Sequence, residues 1–286
     1  MTPRLGHVAR LLAVAVVAAT ALVLPEPAMA ITVPETMADR RPVQAGPVES
    51  SFPIDHLGVI WDTPGRSDGH VDADSAPEPH GAVRFRTDGD WGRWIPLVED
   101  GAEGEGQWAS GLVTGGDADA YQVRGIPADA GSPRAVAINT TDGPEVKVGE
   151  RRGGAASALD SAMCRSRADW GADESIRDWD PEFHPVQALT VHHTATANDD
   201  PDPAATVRAI YRYHAVDQGW GDIGYQYLID EQGVVYEGRW SGTASTSCVT
   251  AKGDGSDFGH EDETDRMVTG GHAGGYNSGN MGVALL

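Results

Sequence analysis

Residues 188–195 read ALTVHHTA, and residues 223–239 read IGYQYLIDEQGVVYEGR. The first stretch is apolar and β-branched, which predicts a buried strand. The second holds two strand-like runs, 223–230 and 234–239, about the turn Glu231-Gln232-Gly233, a hairpin signal. Between the two stretches, Asp202 offers an N-cap and Pro203 a first helical residue. Val207, Ile210, Tyr211 and His214 follow at i, i+3, i+4 and i+7, one face of an amphipathic helix ending at Gln218-Gly219. A last strand is expected over 281–286. Strand, helix, hairpin and strand together predict an α/β domain with a mixed β-sheet and flanking helices.

Upstream the texture changes. Val83 and Phe85 alternate with Arg84 and Arg86, and Tyr121 and Val123 with Gln122 and Arg124. Such period-two patterns mark half-buried strands. Turn signals separate them at Thr63-Pro64-Gly65, Asp88-Gly89-Asp90 and Gly115-Gly116-Asp117. No long run in 51–142 has a helical period, so a small all-β domain of sandwich type is expected there. Trp91 and Trp94 could stack on sugar rings, although packing is the commoner use of Trp in a small β-domain. Residues 143–163, rich in Gly, Ala and charge, read as a linker. Residues 31–50, polar with scattered Pro, read as a disordered leader.

The N-terminus has the form of an export signal. Arg4 and Arg10 precede an apolar run over 11–23, and Ala28-Met29-Ala30 fits the small-x-small cleavage rule, so 1–30 is expected to be removed. The run is shorter than the roughly 20 residues that a spanning helix needs. No later segment could span a membrane, and a secreted protein of the cell-wall space is expected. With 43 acidic and 21 basic side chains the formal charge is −22. Nucleic acid is an unsuitable partner for such a surface, because phosphates would be repelled.

Two cysteines, Cys164 and Cys248, follow the signal. An oxidising compartment permits a disulfide between them, and the lack of a CxxC excludes a zinc knuckle or a thioredoxin-like motif. His192 and His193 stand at the end of the first strand, and His272 lies in the Gly-rich run GGHAGGYN, 270–277. Two such separated histidines could share a metal. Ten histidines are present and no compact motif such as HExxH occurs, so spacing alone leaves that open.

Five segments in order carry a resemblance to a known family. They are CRSRADWGA at 164–172, VHHTA at 191–195, Tyr213-His214 with GWGDIGYQYLID at 219–230, GVVYEGR at 233–239, and GHAGGYN at 271–277. Together they resemble the peptidoglycan recognition protein family, whose domain also occurs in phage and bacterial N-acetylmuramoyl-L-alanine amidases of type 2. The resemblance covers 164–286 and implies that family's fold, a zinc ion (Zn2+) and peptidoglycan as partner; a monomer is expected.

It further implies His192 and His272 as two of three zinc ligands. On a strand, residues 188, 190 and 192 share one face, so His193 points the other way. His193 then packs beneath the site or, with Thr194 and Trp220, takes substrate. Tyr225 matches the family's catalytic tyrosine. The family's third ligand, usually a Cys, follows the last strand, and this sequence ends inside that strand. An incomplete C-terminus is therefore expected, with neither Cys164 nor Cys248 in the ligand's place. The stretch 241–269 is longer and more acidic than the family's pattern and reads as a surface insertion tethered through Cys248. The implied reaction is hydrolysis of the amide between N-acetylmuramic acid and L-alanine. A module that binds peptidoglycan without cutting it is the alternative.

Overall fold

The computed structural model describes residues 29–63, 80–100, 106–151, 164–242 and 266–286. The expected signal peptide lies outside these residues save for Met29 and Ala30, and so does most of the 241–269 insertion with Cys248. Among the described residues, no helix is long and apolar enough to cross a membrane.

The N-terminal half is all β, as its alternation predicts. It comprises β1 (Met29–Pro34), β2 (Met37–Pro42), β3 (Val48–Asp62), β4 (Ala82–Thr87), β5 (Asp90–Trp91), β6 (Ile95–Pro96), β7 (Gln107–Ala109), β8 (Val113–Arg124), β9 (Gly131–Asn139) and β10 (Glu145–Arg151). Eight of these strands form one antiparallel sheet in the order β2-β9-β3-β8-β4-β5, with β6 added to β4 and β7 to β3, while β1 and β10 form a separate pair. One face encloses a core of Leu57, Val59, Trp61, Phe85, Leu97 and Trp108. Trp61 and Trp108 stack there with ring centroids 3.8 Å apart.

Two segment readings are corrected. The stretch 31–50 is not a disordered leader, since it forms most of β1, all of β2 and the start of β3. The expected linker begins with a strand, β10, which pairs antiparallel with β1. Neither segment has a strong strand pattern of its own. Each finds its backbone partners in a segment remote in sequence, which local pattern cannot reveal.

The C-terminal half comprises β11 (Cys164–Arg165), helix α1 (Arg167–Trp170), β12 (Phe183–Pro185), β13 (Ala188–His193), helix α2 (Pro203–Arg212), β14 (Tyr227–Ile229), β15 (Val235–Glu237), β16 (Arg266–Val268) and β17 (Asn280–Leu285). Five strands form a mixed sheet in the order β11-β15-β14-β17-β13, and β12 pairs with β16. The hairpin β14–β15 is antiparallel, while β17 runs parallel to both β13 and β14. This is the expected α/β class with a preceding β-domain. Asp202 caps α2 by accepting from the Ala205 amide, and Pro203 opens it.

The strand β13 is not buried as its composition suggests. It lies at the sheet edge, and Leu189 and Val191 are 60% and 59% exposed. Helix α2 departs in the opposite sense: residues 205 to 211 are all buried, not one face of them. The cause is a second partner. The outer face of the N-terminal sheet, through Ile60, Ala109, Val136 and Ile138, shares one core with Val207, Ile210, Tyr211 and Tyr213. Gly58 on β3 sits so close that a Cβ there would overlap the Tyr213 ring, which is fully buried.

Gly58→Ala is therefore expected to destabilise the folded chain by about 1–3 kcal/mol, the usual cost of overpacking. Chemical denaturation would measure it; an unchanged midpoint would mean that the halves do not meet through this contact.

Candidate functional site

The sheet order brings together residues that are far apart in the sequence. In β13, His192 lies opposite Ala284 of β17. The loop before β17 carries His272, whose ring lies against Gly282, where a Cβ would overlap it. His272 is held from several sides. Asn277 Oδ1 accepts from the backbone amides of His272 and Ala273, both at 2.9 Å. The Nε2 of His272 lies 3.1 Å from the Asn280 carbonyl oxygen, which can only accept, so Nε2 carries the proton and donates. The same Asn280 takes the Thr190 hydroxyl of β13 on its side chain.

The lone pair of His272 Nδ1 is thereby left facing His192 Nε2, 3.1 Å away. Two imidazoles bound to one tetrahedral zinc at about 2.0–2.1 Å would hold their nitrogens about 3.3 Å apart. A donor from His272 to a backbone carbonyl is also the usual support of a metal-bound His. Burial disfavours the charged form of both rings, lowering the His192 pKa and bringing that of His272 down to about 4. Both are then neutral near pH 7, as ligands must be. The pair fits as two ligands. Among the described residues, no third His, Cys or carboxylate joins them within ligand range; the one such acidic group is Asp55, Asp117 and Asp142 in the N-terminal domain.

Tyr225 packs beside the pair, its ring centroid 5.4 Å from that of His192 and 6.4 Å from that of His272. Its hydroxyl donates to Asp100 Oδ1 at 3.0 Å. Asp100 Oδ2 accepts from His214 Nε2 at 2.9 Å and from Gln218 Nε2 at 3.2 Å. The tautomer of His214 is set by the Gly224 amide, which donates to Nδ1 at 3.1 Å. Although burial opposes its charge, these donors hold the Asp100 carboxyl below the usual range. Burial first, then the same carboxylate, raises the Tyr225 phenol well above its ordinary value.

Of the residues expected in the site, His192, His272 and Tyr225 stand together. His193 points to the opposite face of β13 and is exposed. The Thr194 hydroxyl is taken internally, lying 2.8 Å from the Thr196 hydroxyl and 3.3 Å from the Leu285 carbonyl. Trp220 is half-buried and tilts over His214, with centroids 4.4 Å apart. Cys164 is disulfide-bonded, and Cys248, its expected partner, lies outside the described residues. Trp91 and Trp94 flank Arg84 at 4.8 and 4.7 Å, which favours packing over sugar stacking. Sequence reasoning missed Asp100, because a single carboxylate in a β-domain loop carries no motif. The Asn277 and Asn280 supports also lacked any signal beyond nearness to His272.

The family described as N-acetylmuramoyl-L-alanine amidase matches over residues 182–286. The resemblance to peptidoglycan recognition proteins and these amidases therefore holds for this part of the chain. A human N-acetylmuramoyl-L-alanine amidase is 46% identical over 59 residues, covering 19% of this chain and 10% of that protein. Peptidoglycan-recognition protein LB of Drosophila melanogaster is 27% identical over 131 residues, 44% of each. The endolysin of Escherichia phage T7 is 32% identical over 101 residues, 35% of this chain and 48% of its own. The matches thus span less than half of each of these relatives. Among solved structures, wild-type Drosophila PGRP-LB aligns at a TM-score of 0.30 and 26% identity, covering 42% of this chain and 58% of that one.

A pH dependence follows from the buried imidazoles. His56, at the contact with α2, is pushed down to about 4 by burial, as is His272. Each is neutral in the fold, while the unfolded chain takes up a proton from about pH 6.5 downwards. Their contribution is thus present above pH 6.5 and lost as pH falls to about 4, on the order of 3 kcal/mol each. In metal-free protein, His56→Gln and His272→Gln are each expected to flatten the fall in unfolding free energy between pH 6.5 and 4. Slopes equal to wild type would contradict the buried neutral state.

Proposed function

We propose that the C-terminal domain is a zinc-dependent N-acetylmuramoyl-L-alanine amidase acting on peptidoglycan outside the cytoplasm. The observation that carries this reading is the convergence of His192 Nε2 and His272 Nδ1 at 3.1 Å beside Tyr225. The family match over 182–286 and the amidase and endolysin names of the relatives support the same reaction.

His192 and His272 would hold the metal, with Asn280 fixing the His272 tautomer from behind. When bound, zinc supplies Lewis acidity and a water of lowered pKa. The lactyl carbonyl of the muramic acid would lie above the imidazole pair. Tyr225 would then donate its proton to the oxygen on which charge develops. Glycan and stem peptide would approach along the exposed edge of β13, where His193 is accessible.

Two observations favour a second reading, a binder without catalysis. Only two ligands converge among the described residues, and the Tyr225 hydroxyl is already donated to Asp100. Mutants separate the readings. His192→Ala and His272→Ala are expected to lose most of the bound zinc in metal analysis. Tyr225→Phe should keep its zinc and its retention on purified peptidoglycan, yet release stem peptide about 10²–10³ more slowly. A wild-type protein that held zinc and peptidoglycan but released no peptide would leave the binding reading.

A further inference from the structure

Residues 97–100 and 106–114 belong to the N-terminal domain and are fastened there. The Leu97 amide donates to Gly81, the Asp100 amide to Ala109 and the Gly111 amide to Val98. Leu97 is fully buried in that domain's core. Asp100 is thus held by the N-terminal domain, but Tyr225, His214 and Gln218, which donate to its carboxylate, all belong to the C-terminal domain. A carboxylate satisfied in this way is costly to withdraw unless water or another donor replaces all three.

Gly111 and Thr114 lie against the residues that follow the strand bearing His192. Thr114 Oγ1 accepts from the Ala197 amide at 3.0 Å. A Cβ on Gly111 would lie 3.5 Å from the Thr194 carbonyl oxygen. Tyr225 is only 5% exposed. A phenol has one proton to give. While it goes to Asp100 it cannot go to a developing oxyanion, so the two bonds exclude each other.

We propose that the N-terminal β-domain is a built-in inhibitor of the C-terminal site, with Asp100 as the latch that holds the Tyr225 hydroxyl. This rests on Tyr225 serving the site as set out above. Release of the latch frees the phenol and opens the end of β13 to peptidoglycan.

Wild-type full chain, Asp100→Ala and the isosteric Asp100→Asn would be compared on purified peptidoglycan. The readings are zinc content, retention in sedimentation, release of free stem peptide, and hydrogen exchange of peptides covering 193–197 and 223–230. Asp100→Ala is expected to exchange faster in both peptides and to retain or cleave about 10- to 100-fold better at unchanged zinc, the effect of losing one hydrogen bond to a charged group. Asp100→Asn, which keeps the volume and loses the charge, should move the same way by less, and its thermal melt controls for folding. Greater retention without peptide release from any variant would overturn both the amidase reading and the latch, which is argued from the Tyr225 proton. Equal or slower release and equal retention in both folded variants would overturn the latch, while stem peptide from the wild type would leave the amidase reading standing.

Discussion

Asp222 is the carboxylate on which the C-terminal domain hangs. It has no exposure, and each of its oxygens takes one arginine and one backbone amide. Oδ1 accepts from Arg167 Nη1 at 3.0 Å and from Ile223 N at 2.8 Å; Oδ2 accepts from Arg239 Nη1 at 2.8 Å and from Trp240 N at 2.9 Å. Both arginines are buried and use their remaining donors on other segments. Arg239 reaches the carbonyls of Trp179, Asp180 and Thr269, and Arg167 reaches Glu174. Breaking such a buried set by removing one partner typically costs about 3–5 kcal/mol, because a charge is left without a mate. Asp222 precedes Tyr225 by three residues, so the chain that delivers the tyrosine is pinned at its base. The Thr269 link extends the same network to within three residues of His272.

The second constraint is the sharing of α2. A helix buried on every side has no solvent face to absorb displacement, and packed interiors transmit strain. Polar contacts reinforce the apolar ones on the N-terminal side. Arg40 of β2 bonds both the backbone and the carboxylate of Asp217, and Thr140 Oγ1 bonds the Ala205 carbonyl. Arg208 reaches back to the carbonyls of Trp170 and Thr140, one from each half. The two halves are therefore joined by a continuous core as well as by Asp100. Any rearrangement that frees Tyr225 has to pivot about that core or shear along it.

The sequence by itself determined the elements and the chemistry that depend on short range. The cap at Asp202, the helix behind it, the hairpin about Gly233 and the alternation of His192 and His193 follow from local steric and hydrogen-bonding rules. The five ordered motifs carried the resemblance, and with it the expectation that His192, Tyr225 and His272 act together. Tertiary structure decided what those rules cannot reach. The 31–50 stretch became strand because Glu145–Arg151 and Gly131–Asn139 supply its partners from afar. The apolar run of β13 became an exposed edge because strand order, not composition, sets which face is covered. Asp100 entered the site from a different domain, which no spacing could announce, since only the packing of one sheet on one helix places its carboxylate within reach of Tyr225 and His214.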